Sequence, residues 1–286
     1  MRLLMVAKVD RLDGVTTTFA DAAVELRVRG VDVDLYILTD NVRPVREAMD
    51  EYIPKHNARV LPWTVTLARQ LLVSDNCPAL TTATIAVNVL KDIQRRCVGV
   101  LYPQLYEQRE GWAVEDLRVV LSKNCDIMIG NNVNGQLLNM DNAFTYWGVG
   151  FARSRINALR QRTVISQSLT AAEYARTHTQ RETIPTAFDY GVYEYSRSMR
   201  GGGTWWENIG KLPFEFLLTG RRVLYSAAGK QVDDGLTELL REFDVDDNVD
   251  QELTIPVAAL EQRFFDEPYD ELLKIVNRLA ISQNVE

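Results

Sequence analysis

Three features of this 286-residue sequence predict an α/β fold with a doubly wound parallel sheet. The opening reads as strand, glycine-bearing loop, helix and strand, which is a βαβ unit. Short apolar runs then keep alternating with helical stretches as far as residue 177. Beyond that comes a segment punctuated by Pro185, Gly191 and Gly201-Gly202-Gly203, with a shorter set of strands and helices behind it.

Residues 2–7 (Arg-Leu-Leu-Met-Val-Ala) are an apolar run suited to a buried strand, and Lys8 to Val15 form a loop containing Asp13-Gly14. Thr16 is placed to cap a helix that runs to about Arg29, with Phe19, Ala22, Ala23 and Leu26 on one face and Gly30 just past its end. Val31 to Leu38 alternate apolar and polar and read as the second strand. A strand at 58–62 and a helix at 80–96 follow, then strands at 98–102, 125–130 and 143–147 with a helix at 113–123. A helix at 152–160, a strand at 163–167 and a helix at 169–177 complete a first domain over 1–182. The linker is 183–203, and the second domain, 204–286, offers helix 213–219, strand 222–226, helix 235–243, strand 252–255 and a last helix at 268–281.

Hydrophobic residues make up 46% and charged residues 25% of the chain, enough to fill a core. No apolar run is long enough for a membrane helix, and the N-terminal apolar stretch is too short for a signal peptide. A cytoplasmic protein without membrane insertion is therefore expected. Cys77, Cys97 and Cys125 lack metal or redox spacing and read as buried free thiols. His56 and His178 have no acid paired with them in sequence and read as surface or capping residues. Net charge is −7, but residues 232–271 hold fourteen acids against two bases, so the remainder is net positive. A low isoelectric point does not exclude a polyanionic partner for that remainder. A solvated acidic face is the ordinary reading of the 232–271 stretch.

The most informative segment is Trp206-Glu207-Asn208-Ile209-Gly210-Lys211-Leu212-Pro213-Phe214-Glu215, leading through Leu218 and Gly220 to an apolar strand. Pro213 suits the first position of a helix, which puts Glu215 in its first turn. Amides around Gly210, Lys211 and Leu212 would then face an anion such as a diphosphate. Glu215 could accept from ribose hydroxyls and Glu207 could hold hydroxyls of a sugar. The ordinary alternative is a helix start that favours a glutamate through its dipole.

Glu207, seven residues, Glu215, then an apolar helix ending in glycine and a strand: this order resembles the donor signature of retaining GT-B glycosyltransferases. Met1–Val33 resembles the opening βαβ of that family's acceptor domain, and Thr163–Ser168 with Ile184–Asp189 resembles its end. The helix near Tyr269–Leu273 sits where the family's final helices sit. The resemblance implies two Rossmann-type domains, the second abbreviated because only Tyr190–Trp206 separates the Ile184-Pro185 segment from Glu207. It further implies sugar transfer from a nucleotide-sugar, a UDP-sugar being favoured, with retained configuration and neither metal nor other cofactor. Glu207 would be the catalytic residue that orients the sugar. Gly14, Val15, Arg197, Arg200, Asn208, Ile209, Gly210, Lys211 and Glu215 would bind the donor, and closure of the domains would exclude water.

Asp13-Gly14-Val15-Thr16 is similar to the start of the T-even phage DNA α-glucosyltransferases, which sugar hydroxymethylated cytosine in double-stranded DNA. Arg153, Arg155, Arg160 and Arg162, with Tyr146 and Trp147 ahead of them, suit phosphate contacts and stacking on a flipped base. The same arginines could instead be solvated or pair with the acidic C-terminal stretch. A polysaccharide or small-molecule acceptor, or a non-catalytic α/β binding protein derived from the fold, are the alternatives.

Overall fold

In the computed structural model, Arg2–Lys8 forms β1 and pairs parallel with β2, Asp32–Thr39, over seven residues from Arg2↔Asp32 to Lys8↔Leu38. The structure describes residues 1–9, 12, 14–74, 76–90, 93, 98–101, 127–130, 144–146, 150–161, 190–193, 211–220, 222–225, 240–246, 248–249 and 251–282. With β3 (Arg59–Pro62), β4 (Ala79–Thr82), β5 (Val98–Leu101), β6 (Ile127–Gly130) and β7 (Phe144–Tyr146), these strands build a seven-stranded parallel sheet ordered β3-β2-β1-β4-β5-β6-β7. This is the predicted α/β class, compatible with a Rossmann-like sheet.

The two faces of the sheet follow from the two-residue period of a strand. Leu3, Met5 and Ala7 of β1 join one core with Val33, Leu35 and Ile37 of β2, while Leu4, Val6 and Leu38 join a second core on the opposite face. The first core takes α1 (Gly14–Val28) and α2 (Val42–Tyr52), and the second takes α3 (Val65–Val73) and α4 (Ala83–Val89). Gly30 ends α1 at φ +82°, in the left-handed region open to glycine, and the Val31 amide donates to the Leu26 carbonyl at 3.0 Å.

The expected helix at 80–96 is corrected: Ala79–Thr82 is strand β4 beside β1, and α4 is confined to Ala83–Val89. Ala-Leu-Thr-Thr is a short β-compatible run, and burial on both sides fixes it as a strand. Two helices, α2 and α3, were not expected. A signal for α3 was present, because the Thr64 hydroxyl caps it by accepting the Leu67 amide at 3.0 Å.

A second, three-stranded sheet, ordered β10-β9-β8, holds β8 (Tyr190–Tyr193), β9 (Arg222–Tyr225) and β10 (Gln251–Glu252). β8 runs parallel to β9, and β10 antiparallel. The expected 183–203 linker therefore contains a strand of the second sheet. Helix α5 (Arg153–Arg160) follows the first sheet, and helix α6 (Lys211–Leu218) precedes β9.

The chain then forms α7 (Val257–Glu261), a π turn at Gln262–Asp266, and α8 (Glu267–Ser282). Pro268 accounts for the π turn. It offers no N–H to the Phe264 carbonyl four residues earlier, and its ring crowds that carbonyl, so the helix widens there. The Phe264 carbonyl accepts the Phe151 amide at 3.0 Å.

These C-terminal helices do not build a core apart from the first sheet. Phe214, Leu218, Phe264, Tyr269, Leu272 and Val276 belong to the same buried cluster as Leu3, Met5 and Phe19. The boundary between 1–182 and 204–286 is therefore not a boundary between two cores. α1 lies between the sheet and this outer layer, which buries even its polar residues Thr16, Thr17, Thr18, Asp21 and Glu25.

Candidate functional site

Two places gather polar chemistry. The first is the carboxyl edge of the first sheet. The chain lays β2 and β3 on one side of β1, then crosses to place β4 on the other, so β1 and β4 flank the point where strand order reverses. Ligands of open α/β sheets bind outside the strands' carboxyl ends at such a point. Lys8 ends β1 there with its side chain buried, and its amide donates to the Thr82 hydroxyl of β4 at 3.3 Å. Gly14 opens α1 at the same edge, exposed, and among the described residues outside its own turn no atom lies within 4 Å of where a Cβ would stand. Thr17 and Thr18 donate their hydroxyls to the Gly14 carbonyl at 3.1 and 2.6 Å, which tightens the first turn. The first α1 amides thus lie at the carboxyl edge of the sheet. Val15 is half-buried against the first core.

The second place is a buried ionic triad about 10 Å further along α1, at 1.5 Å rise per residue. Arg155 of α5 donates Nε to Asp21 Oδ1 at 2.7 Å and Nη2 to Asp21 Oδ2 at 2.6 Å, a two-pronged pair. Its Nη2 also lies 2.7 Å from Glu215 Oε1 of α6. The three side chains are at most 1% exposed. Burial works against the charge on Arg155, but the pull of Asp21 and Glu215 and its hydrogen bonds to both outweigh it, holding its pKa above the ordinary guanidinium value. The guanidinium also lies 5.5 Å from the Phe151 ring centre.

This geometry corrects several expected roles. Glu215 was expected in the first turn of its helix, reaching toward ribose. The helix starts at Lys211 rather than Pro213, so Glu215 stands in the second turn, facing inward, 0% exposed and tied to Arg155. Arg155 was expected to meet an acceptor and is instead inside the core. Arg153 pairs with Asp266 at 3.1 Å and lies over the Phe265 ring at 4.5 Å. Arg160 donates Nε to the Leu218 carbonyl at 3.0 Å and Nη2 to Glu261 at 2.8 Å. The described arginines of the expected acceptor patch thus serve the C-terminal helices, the pairing that the acidic stretch offered.

Tyr146 is the last residue of β7 and Lys211 the first of α6. Glu207, Asn208, Ile209, Gly210, Arg197, Arg200, Trp147 and Arg162 lie outside the described residues, as do Cys97, Cys125 and His178. Cys77 is half-buried rather than buried. His56 is buried rather than on the surface, and it does close a turn: Nδ1 accepts the Ala58 amide at 2.9 Å while Nε2 meets Asp50 at 2.9 Å.

Asp21 was missed as a site residue. Its signal was present, since Asp21 and Glu25 stand one turn apart in a stretch, Phe19–Leu26, that is otherwise apolar. Glu25 is used as fully as Asp21. Oε1 accepts the Arg153 amide at 2.9 Å and Oε2 pairs with Arg29 at 2.9 Å.

Comparison with protein-family models and with curated protein sequences gives no match. Among the described residues, no helix is long and apolar enough to cross a membrane.

Proposed function

We propose that this chain binds a nucleotide-sugar at the carboxyl edge of its first sheet and transfers the sugar to an acceptor. The observation that carries this reading is the meeting of the β1/β4 reversal point with an exposed, uncrowded Gly14 at the start of α1. Backbone amides there suit a diphosphate, the leaving group of such a transfer, where negative charge builds up. A GT-B-like pairing of two α/β units, the second reduced to a small sheet, is consistent with the strand order and with the Glu207–Gly220 pattern. In this reading Glu207 still orients the sugar, whereas Glu215 is structural. Phosphate-contacting arginines for a DNA acceptor are not supplied by Arg153, Arg155 or Arg160.

Calorimetric titration with UDP, GDP and UDP-glucose tests donor binding. Gly14→Ala should weaken it at least tenfold with little change in melting temperature, because among the described residues nothing outside its own turn lies within 4 Å of the added Cβ. Absence of binding by every nucleotide would sink the proposal. Label transfer to hydroxymethylated duplex, to polysaccharide and to water separates the acceptor classes.

A second reading, a non-catalytic α/β binding protein, is favoured by one observation: Glu215, half of the acid pair, is closed into the Arg155 ion pair. Nucleotide binding without label transfer to any acceptor would select it.

A further inference from the structure

Packed units move against each other by hinge opening or by shear, and the seam between α5 and α6 resists both. The apolar side of α6 is Phe214, Leu217 and Leu218, inside the same core as Phe19 and Leu26 of α1, so swinging α6 outward would bring that surface into water. Apolar packing alone would still permit sliding. Polar contacts do not, and α5 supplies them at two points, one an ion pair and one a hydrogen bond. Arg155 meets the Glu215 carboxylate at 2.7 Å, and Arg160 meets the Leu218 carbonyl at 3.0 Å while its other nitrogen holds Glu261 of α7 at 2.8 Å. A lateral slide of about 3 Å takes both contacts beyond hydrogen-bonding range. Arg155 cannot follow α6, because Asp21 of α1 holds it with two bonds of 2.7 and 2.6 Å. α6 in turn packs on β8 and β9 of the second sheet.

We propose that α5 is a two-point clamp that fuses α6, and with it the second sheet, to the first sheet. The seam neither opens nor slides when a ligand enters, so closure of one domain on another does not occur across it. This inference is independent of which ligand the protein takes.

Native-state hydrogen exchange on the full chain, across a denaturant series with and without UDP, tests it. Amides of Leu217 and Leu218 in α6, of Thr219 just past its end, and of Ala23–Leu26 in α1 should exchange through one common opening, with equal denaturant dependence, and UDP should not separate them. An α6 opening of smaller denaturant dependence than that of α1 would overturn the proposal. The double variant Arg160→Gln, Glu215→Gln keeps the Asp21–Arg155 pair and should speed α6 exchange about tenfold relative to α1. Unchanged common exchange in that variant would show that the two arginines are not the clamp.

Discussion

The Phe151 amide donates to the Phe264 carbonyl across 3.0 Å, a carbonyl that Pro268 cannot serve from within the helix. The backbone passes so close here that only glycine fits beside it. A Cβ on Gly150 would stand 2.8 Å from the Tyr269 ring and 2.9 Å from the Phe264 oxygen. Gly150→Ala is expected to lower unfolding free energy by about 1–3 kcal/mol through overpacking, measured by urea denaturation.

Arg155→Met removes the only cation that the described residues place between Asp21 and Glu215. Both carboxylates touch the same guanidinium nitrogen, at 2.6 and 2.7 Å, so they lie within about 5 Å of each other. The expected loss is about 3–5 kcal/mol. Replacing all three, as Asp21→Leu, Arg155→Met and Glu215→Leu together, should recover most of that loss, because the two like charges leave together with the cation that held them. A triple variant as unstable as Arg155→Met would show that the triad is not a self-contained unit.

Asp244 holds φ +57° just past a helical turn, where the Val245 amide donates to the Leu240 carbonyl at 3.0 Å. That is a glycine position occupied by an aspartate. Asp244→Gly should raise stability by about 0.5–1 kcal/mol, read as a higher denaturation midpoint at unchanged slope.

Arg153 and Arg160 bear on nucleic-acid binding. Both are engaged within the chain, by Asp266 and by Leu218 with Glu261. Arg153→Ala and Arg160→Ala should leave any affinity for duplex DNA, and its dependence on salt, unchanged. An arginine that neutralises one phosphate steepens the slope of log affinity against log salt by about 0.9, and its removal flattens the slope by the same amount. A flatter slope in either variant would return these arginines to an acceptor surface.

Strand positions were the most legible part of the sequence. β1 follows from an apolar run, because burial on both faces leaves a strand little compositional freedom, β2 follows from apolar–polar alternation, and β3 and β5 were placed as short strands. Gly30 and Gly220 were readable as helix ends, and both hold a positive φ. What pattern reading could not supply is which faces meet. The arginines of α5 look like a basic patch when counted along the chain. Their partners, Asp21, Glu215, Glu261 and Asp266, are remote in sequence and become neighbours only when the C-terminal helices lie down on α1. Glu215 shows the same limit. It stands one turn before buried Leu218, on a side of α6 that packs inward, and its partner Arg155 is sixty residues away in the chain.

The packing of α8 on α1 has a consequence for biosynthesis. Tyr269, Leu272, Ile275 and Leu279 roof a hydrophobic layer whose floor is Leu3, Met5 and Phe19. A ribosome makes the floor first and the roof last. Until Leu279 has emerged from the exit tunnel, α1 presents an uncovered apolar flank. Nascent chains stalled before Glu267 should therefore be the form that chaperones hold and proteases cut.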